Sequence, residues 1–120
     1  MANISTSLES QIRQGRLAAG MSFPQKVWAI TARIPRGKVV TYADVARALK
    51  STGDRAVGQA LHRNPYAPGV PCHRVVGSDG KLTGFAQGLP KKRKMLEEEG
   101  ILFAGSRVDL QQCRGFSKSN

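Results

Sequence analysis

A thiol, an imidazole and a guanidinium stand side by side at Cys72-His73-Arg74, between Val70-Pro71 and Val75-Val76. A thiol beside groups that can carry positive charge has a reason to ionise, and the thiolate is the reactive form. Pro71 removes a backbone donor and biases Val70 towards an extended conformation. The stretch reads as a nucleophile on a stiff turn. Adjacency alone does not make a dyad. In an extended strand neighbouring side chains point to opposite faces, so His73 would reach Cys72 only through a turn or a bridging water. The competing reading is a buried structural cysteine, and on spacing alone the two stand level.

The elements that must hold this stretch are short. Ser22-Phe23-Pro24-Gln25 has the form of a helix start, with Ser22 as N-cap, Pro24 in the first turn and Gln25 at the capping-box position. Val27, Trp28, Ile30 and Ile34 then give an apolar stripe of helical spacing, which Pro35 and Gly37 stop. Lys38 to Thr41 is a short β-prone run. Thr41 caps a second helix with Asp44 at the box position, and Ser51-Thr52-Gly53 breaks it. A third helix is predicted from Asp54 to Arg63, with Ala56, Val57, Ala60 and Leu61 inward and Arg55, Gly58, Gln59 and His62 outward.

Two basic helices joined by a tight Gly-containing turn suggest a helix-turn-helix. Gly58 costs the third helix about 1 kcal/mol of propensity, so it serves either an internal packing contact or close approach to a backbone or groove. Beyond the central stretch, Gly77 to Gly80 is a turn and Lys81 to Gly88 a glycine-punctuated loop without phosphate-cradle spacing. Pro90 opens a last helix, with Met95 and Leu96 inward, and Gly100 closes it. Residues 101–103 and 108–110 are predicted to form a small hairpin. Leu8 and Ile12 could anchor a short helix, but residues 1–20 are expected to be loosely held, and the tail after Cys113 mobile.

The sequence has 120 residues, enough for one domain with a modest core. Nineteen basic residues oppose eight acidic ones, a formal net charge of +11. With a pI of about 10.5, a polyphosphate backbone is the favoured partner class, and no amphipathic helix points to a membrane. The first twenty residues carry no export signal. Cys72 and Cys113 are therefore expected to be reduced thiols in a cytosolic chain, nucleoid-associated in a prokaryote or nuclear in a eukaryote. The two cysteines and two histidines lack paired metal-ligand spacing, so neither metal nor cofactor is expected.

At this point several blocks resemble one family. Pro71-Cys72-His73-Arg74-Val75-Val76 is similar to the active-site signature of the O6-alkylguanine-DNA alkyltransferases. Residues 37–46 resemble the family's strand and first helix of its helix-turn-helix. Arg55-Ala56-Val57-Gly58 and Asn64-Pro65 resemble its recognition helix and asparagine hinge, and Leu96 to Gly100 its helix ending in Glu-Gly. The likeness runs from about Phe23 to Leu102. It implies a mainly α domain with short strands, winged-helix-like and containing a helix-turn-helix. The expected layout is an extension at 1–21, the DNA-binding and catalytic domain at 22–111 and a polar tail at 112–120. By that resemblance a ribonuclease-H-like domain usually stands before this one, and a short extension is the expectation for the residues ahead of Phe23.

By that resemblance Cys72 accepts the alkyl group, His73 polarises it through a water, and Glu99 orients His73. Asn64 ties the recognition helix to the active-site turn. Tyr42 holds the flipped base, the backbone at Cys72 and Val75 reads its edge, Phe85 forms a wall and an amide near Ala86 donates to O6. Arg55 fills the space left in the duplex, and Ala56, Gly58, Gln59 and Arg74 complete the DNA-binding set. The implied partner is duplex DNA containing O6-alkylguanine, bound by a monomer, with no metal. Phe85-Ala86-Gln87 departs from the family's Tyr-Ser-Gly or Tyr-Ala-Gly and lacks a hydroxyl. Leu61-His62-Arg63 departs from the residues usual before the hinge. The compact frame also resembles the alkyltransferase-like proteins, which lack the cysteine, bind the lesion without transfer and hand it to excision-repair proteins. A basic winged-helix transcription factor is the reading from another class.

Overall fold

Ser22 caps its helix as the sequence demands: its side chain accepts from the Gln25 N–H, and the Gln25 side chain accepts from the Ser22 N–H. Thr41 and Asp44 repeat the arrangement one element later. A computed structural model describes residues 7–51 and 53–117. In chain order its elements are α1 (Leu8–Arg13), α2 (Phe23–Thr31), β1 (Val40–Thr41), α3 (Tyr42–Ala48), α4 (Asp54–His62), a 3₁₀ turn (Cys72–Arg74), β2 (Val75–Val76), α5 (Leu89–Glu98), β3 (Phe103–Ala104), β4 (Arg107–Val108) and α6 (Leu110–Cys113). The fold is mainly helical with short strands and contains the expected helix-turn-helix, α3 and α4. Thr52, within its predicted break, lies outside the described residues.

Two strand pairs organise the helices. β1 runs parallel to β2, with Val40 opposite Val75 and Thr41 opposite Val76. β3 and β4 form the predicted hairpin, in antiparallel register. A Cβ added at Gly80 would collide with the Val108 carbonyl oxygen, so only glycine lets the 77–80 turn lie against this hairpin.

The main core gathers Val27, Ile30 and Ile34 from α2 and its exit with Val45, Ala46, Val57, Ala60 and Leu61 of the helix pair and Val40 and Val75 of the strands. Full burial of each such Val, Leu or Ile contributes roughly 1.5–3 kcal/mol. Trp28 Nε1 donates to the Ala60 carbonyl at 2.7 Å and ties α2 to α4. A second cluster packs Val39, Val76, Leu82, Leu96, Ile101, Val108 and Cys113.

Both ends of the chain depart from expectation. Residues 7–21 are not loosely held. Ile12 is 0% exposed in a third cluster with Met21, Ala29 and Val70. The tail is docked as far as Phe116, which packs on the main core. Val39 donates to the Cys113 carbonyl at 2.8 Å, Gly115 donates to the Val39 carbonyl at 2.9 Å, and Arg114 forks onto Asp44 at 2.7 and 2.9 Å. Backbone pairing and a bidentate ion pair replace the apolar pattern that a sequence reading looks for. Residues 1–6 of the extension and 118–120 of the tail lie outside the described residues.

Candidate active site

Cys72 sits at the start of a 3₁₀ turn rather than in a strand. The i→i+3 winding spaces successive side chains by about a third of a turn. Cys72, His73 and Arg74 therefore fan out instead of alternating. Cys72 is half-buried and lines a cleft with Tyr42, Leu61, Asn64, Phe85 and Ala86. His73 and Arg74 both turn to Glu99, just beyond α5. His73 Nε2 lies 2.9 Å from Glu99 Oε2, and the Arg74 guanidinium donates through Nε and NH2 to both carboxylate oxygens at 2.8 Å. Arg74 NH1 also donates to the Ile34 carbonyl at 2.7 Å.

This cluster is nearly closed to water, with His73 and Glu99 side chains 3% and 9% exposed. Burial alone would raise the Glu99 carboxyl, but the hydrogen bonds and charges of Arg74 and His73 together hold it below its ordinary value. Burial lowers His73, outweighing the upward pull of Glu99. An ionised carboxylate only accepts, so a neutral His73 carries its proton on Nε2 and leaves Nδ1 as a base. Cys72 and His73 share no direct side-chain hydrogen bond.

The opposite wall is held by a residue that sequence reading missed. Lys92, from the Lys91-Lys92-Arg93-Lys94 run, is 1% exposed. Its Nζ donates to the carbonyls of Val75 and Thr83 at 2.8 and 2.9 Å and lies 6.0 Å from the centre of the Phe85 ring. Burial lowers its pKa to about 8, against an upward pull from Cys72. A signal was present: Lys92, Leu96 and Glu99 share one face at helical spacing, but the surrounding basic residues disguised it. The Thr83 carbonyl also accepts from the Tyr42 hydroxyl at 3.2 Å. Burial raises the Tyr42 pKa.

Other predicted residues separate into two groups. Asn64 Nδ2 donates to the Val70 carbonyl at 2.9 Å and its Oδ1 accepts from the Tyr66 N–H at 2.9 Å, which links the end of α4 to the loop leading to Cys72. The Val75 side chain is buried in the main core, its N–H donates to the Cys72 carbonyl, and its own carbonyl accepts from Lys92. Ala86 is exposed at the cleft mouth. Arg74 is a correction: expected among the DNA-binding residues, it is turned inward, because a half-buried guanidinium finds Glu99 and a carbonyl there. Ala56, half-buried, belongs to α4.

Arg55, Gly58 and Gln59 line a wide groove with Tyr42, Ala43 and His62. A Cβ added at Gly58 meets nothing within 4 Å, which removes internal packing as its explanation. Groove and cleft meet at Tyr42, His62 and Gly84, which line both. The Cys72 thiol therefore stands in a side chamber of an open groove that carries Arg55 and Arg63. Among the described residues no three His, Cys, Asp or Glu side chains gather as a metal site, and no helix is long and apolar enough to cross a membrane.

A helix-turn-helix domain with its thiol in a cleft beside the second helix is the class that fold and site define. Residues 22–101 match the model of the 6-O-methylguanine DNA methyltransferase DNA-binding domain, and the chain belongs to that family. It is 48% identical over 81 residues to the methylated-DNA–protein-cysteine methyltransferase of Methanosarcina barkeri, covering 67% of this chain and 51% of that one. The chain thus spans about half the length of the curated methyltransferases it matches. Identity to the DNA base-flipping protein of Escherichia coli is 43%, covering 78% of this chain and 74% of that protein. Schizosaccharomyces pombe Atl1, solved in complex with damaged DNA containing O6-carboxymethylguanine, superposes with a TM-score of 0.66 at 32% identity. That likeness covers 76% of this chain and 93% of Atl1.

Proposed function

We propose that this chain repairs DNA by taking the alkyl group of O6-alkylguanine onto Cys72. The observation that carries the reading is the placement of Cys72. It lines a cleft that opens off the α4 groove, while the next residue in the chain, His73, is paired with a buried, ionised Glu99. A stacked base does not offer in-line access to an alkyl carbon at O6, so the nucleotide leaves the duplex and enters the cleft. Tyr42 and Phe85 flank it, an amide near Ala86 meets O6, and the second lone pair of the Val75 carbonyl meets the base edge. Arg55 and Gln59 lie on the duplex, with Ala56 and Gly58 letting the helix approach closely. Asn64 holds the helix to the turn.

The step balances simply. The Cys72 proton passes through a water to His73 Nδ1, and Glu99 stabilises the imidazolium. The thiolate sulfur attacks the alkyl carbon, the carbon–O6 bond breaks and its electron pair stays on guanine, which takes up a proton. The thioether that forms does not leave, so each molecule acts once. Because O6 is the leaving group and sulfur the acceptor, no metal or cofactor is required. The protein acts as a monomer.

A second reading, binding of the lesion without transfer and its presentation to excision-repair proteins, is favoured by the likeness to Atl1, nearly all of which this chain covers. One experiment separates them. The protein is mixed with a duplex carrying O6-methylguanine and its Cys72 peptide is weighed. One added methyl mass is expected. Tight binding with no mass change would remove transfer and leave the lesion binder.

A further inference from the structure

We propose that α1 is a positioning element for Cys72, acting through Val70 by way of Ile12 and Arg13; the inference rests on Cys72 being the reactive group in the reading above. Helix α1 lies outside the residues matched by the family model. It makes no contribution to the walls of either the cleft or the groove. Its contacts go instead to the loop that delivers Cys72.

Val70 is where those contacts converge. Its side chain is 0% exposed and packs in one cluster with Ile12, Met21 and Ala29. Its carbonyl accepts from Asn64 Nδ2 at 2.9 Å and from the Cys72 N–H at 2.9 Å, and its own N–H donates to the Tyr66 carbonyl at 3.0 Å. The backbone that starts the 3₁₀ turn is thus fixed by Val70, and the Val70 side chain is fixed by α1. Arg13 holds the other end of the same loop. Its guanidinium lies 4.9 Å over the Tyr66 ring, which meets Trp28 edge-on at 5.7 Å. Tyr66 in turn donates its N–H to Asn64 Oδ1.

A brace needs its own anchor, and α1 has one independent of the loop. Gly15 follows the helix at φ +74°, and its carbonyl accepts from Arg33 Nε at 2.7 Å. A Cβ at Gly15 would lie 2.8 Å from Arg33 Cγ, so the close approach to the exit of α2 depends on glycine. α1 is therefore tied to the α2 scaffold on one side and to the Cys72 loop on the other. Small displacements of a reacting group from a remote site slow chemistry without weakening ligand binding.

The test uses the full chain and the variants Ile12→Ala, Ile12→Val and Arg13→Ala, at a temperature where circular dichroism shows each folded. With a duplex carrying O6-methylguanine, Ile12→Ala is expected to slow methyl transfer at saturating duplex by about tenfold, with duplex affinity changed less than about twofold. Ile12→Val restores the rate, and Arg13→Ala lowers it by a smaller factor while shifting Trp28 emission. In parallel, iodoacetamide labelling of Cys72 without DNA is followed by peptide mass, with buried Cys113 as internal control. Its rate changes by about threefold or more in Ile12→Ala and Arg13→Ala. Variants that melt earlier yet react at the parent rates in both assays would make α1 mere core and overturn the proposal. If the parent takes no methyl, transfer fails as a reading while the labelling arm still decides the brace. If Ile12→Ala does not fold, Arg13→Ala decides it.

Discussion

Two charged regions flank the cleft, and they are built on opposite rules. At His73, Glu99 and Arg74 the carboxylate, the guanidinium and the imidazole Nε2 are paired inside the molecule, and His73 Nδ1 alone is left over as a base. On the outer face of α4, the Arg55 and Gln59 side chains have no hydrogen bond or ion pair among the described residues, and Gly58 leaves open space. Enclosed charge fixes a chemical state, here the proton position on His73, because moving a proton there disturbs three groups at once. Exposed charge fixes nothing by itself and is available to a ligand, with an energy that salt can screen. Substitutions should therefore change stability and chemistry together in the first region, and separate them in the second.

The largest expected effect comes from breaking the enclosed region. Glu99→Gln leaves the Arg74 guanidinium without its counter-charge. About 3–5 kcal/mol of stability should be lost in urea titrations at pH 7, and methyl transfer slowed by about a hundredfold. The acid limb of the stability curve checks the same cluster. His73 has a folded pKa below 6.5, so the unfolded chain binds the extra proton, and its contribution is present above pH 6.5 and lost as pH falls through that range. Glu99, held below 4.5, adds a second loss as pH falls below 4.5, and that step is absent in Glu99→Gln.

Lys92→Met comes next. It removes the buried donor from the Val75 and Thr83 carbonyls, at a cost of about 1–3 kcal/mol by chemical denaturation. Its pH signature has the same sign logic. The folded pKa of about 8 lies below the ordinary 10.5, so the parent gains stability between those values, and the variant loses that rise.

How much of this was legible beforehand depended on how local each device is. The capping boxes at Ser22 and Thr41 were readable because donor and acceptor lie three residues apart. A turn at Cys72 is legible, but its 3₁₀ winding, which fans Cys72, His73 and Arg74 apart, and the single carboxylate at Glu99 that gathers the last two are not. Glu99 and Asn64 came from likeness to a family, since nothing near them in sequence marks their partners. Lys92 hides in a run of similar charges, and Arg74, which the resemblance places among the DNA-binding residues, finds its acid 25 residues further along the chain. Ile12 was underrated because its partner Val70 is remote in sequence, which no local pattern displays.

On the open face, Gly58→Ala should have effects of opposite sign. With nothing within 4 Å of the new methyl group, the helix gains about 0.5–1 kcal/mol in thermal or urea unfolding, while duplex affinity falls by about tenfold. Arg55→Ala should be the mildest. Stability stays within about 0.5 kcal/mol, and the slope of log affinity against log salt falls by about one. A stability loss at Arg55 comparable to that at Glu99 would erase the distinction between the two regions.

The pairing of Val40 with Val75 and Thr41 with Val76 has a kinetic meaning. It joins two strands of two residues each from distant parts of the chain, and each strand adjoins one wall of the cleft: Tyr42 follows β1 and Cys72 precedes β2 by one turn. So short a ladder has no independent stability, and forming it requires closing the loop that carries α3 and α4. The cleft is therefore expected to form late in folding, after the local helical contacts. In the native protein, amide protons of this ladder should exchange only with global opening, more slowly than those of α1 or the β3–β4 hairpin.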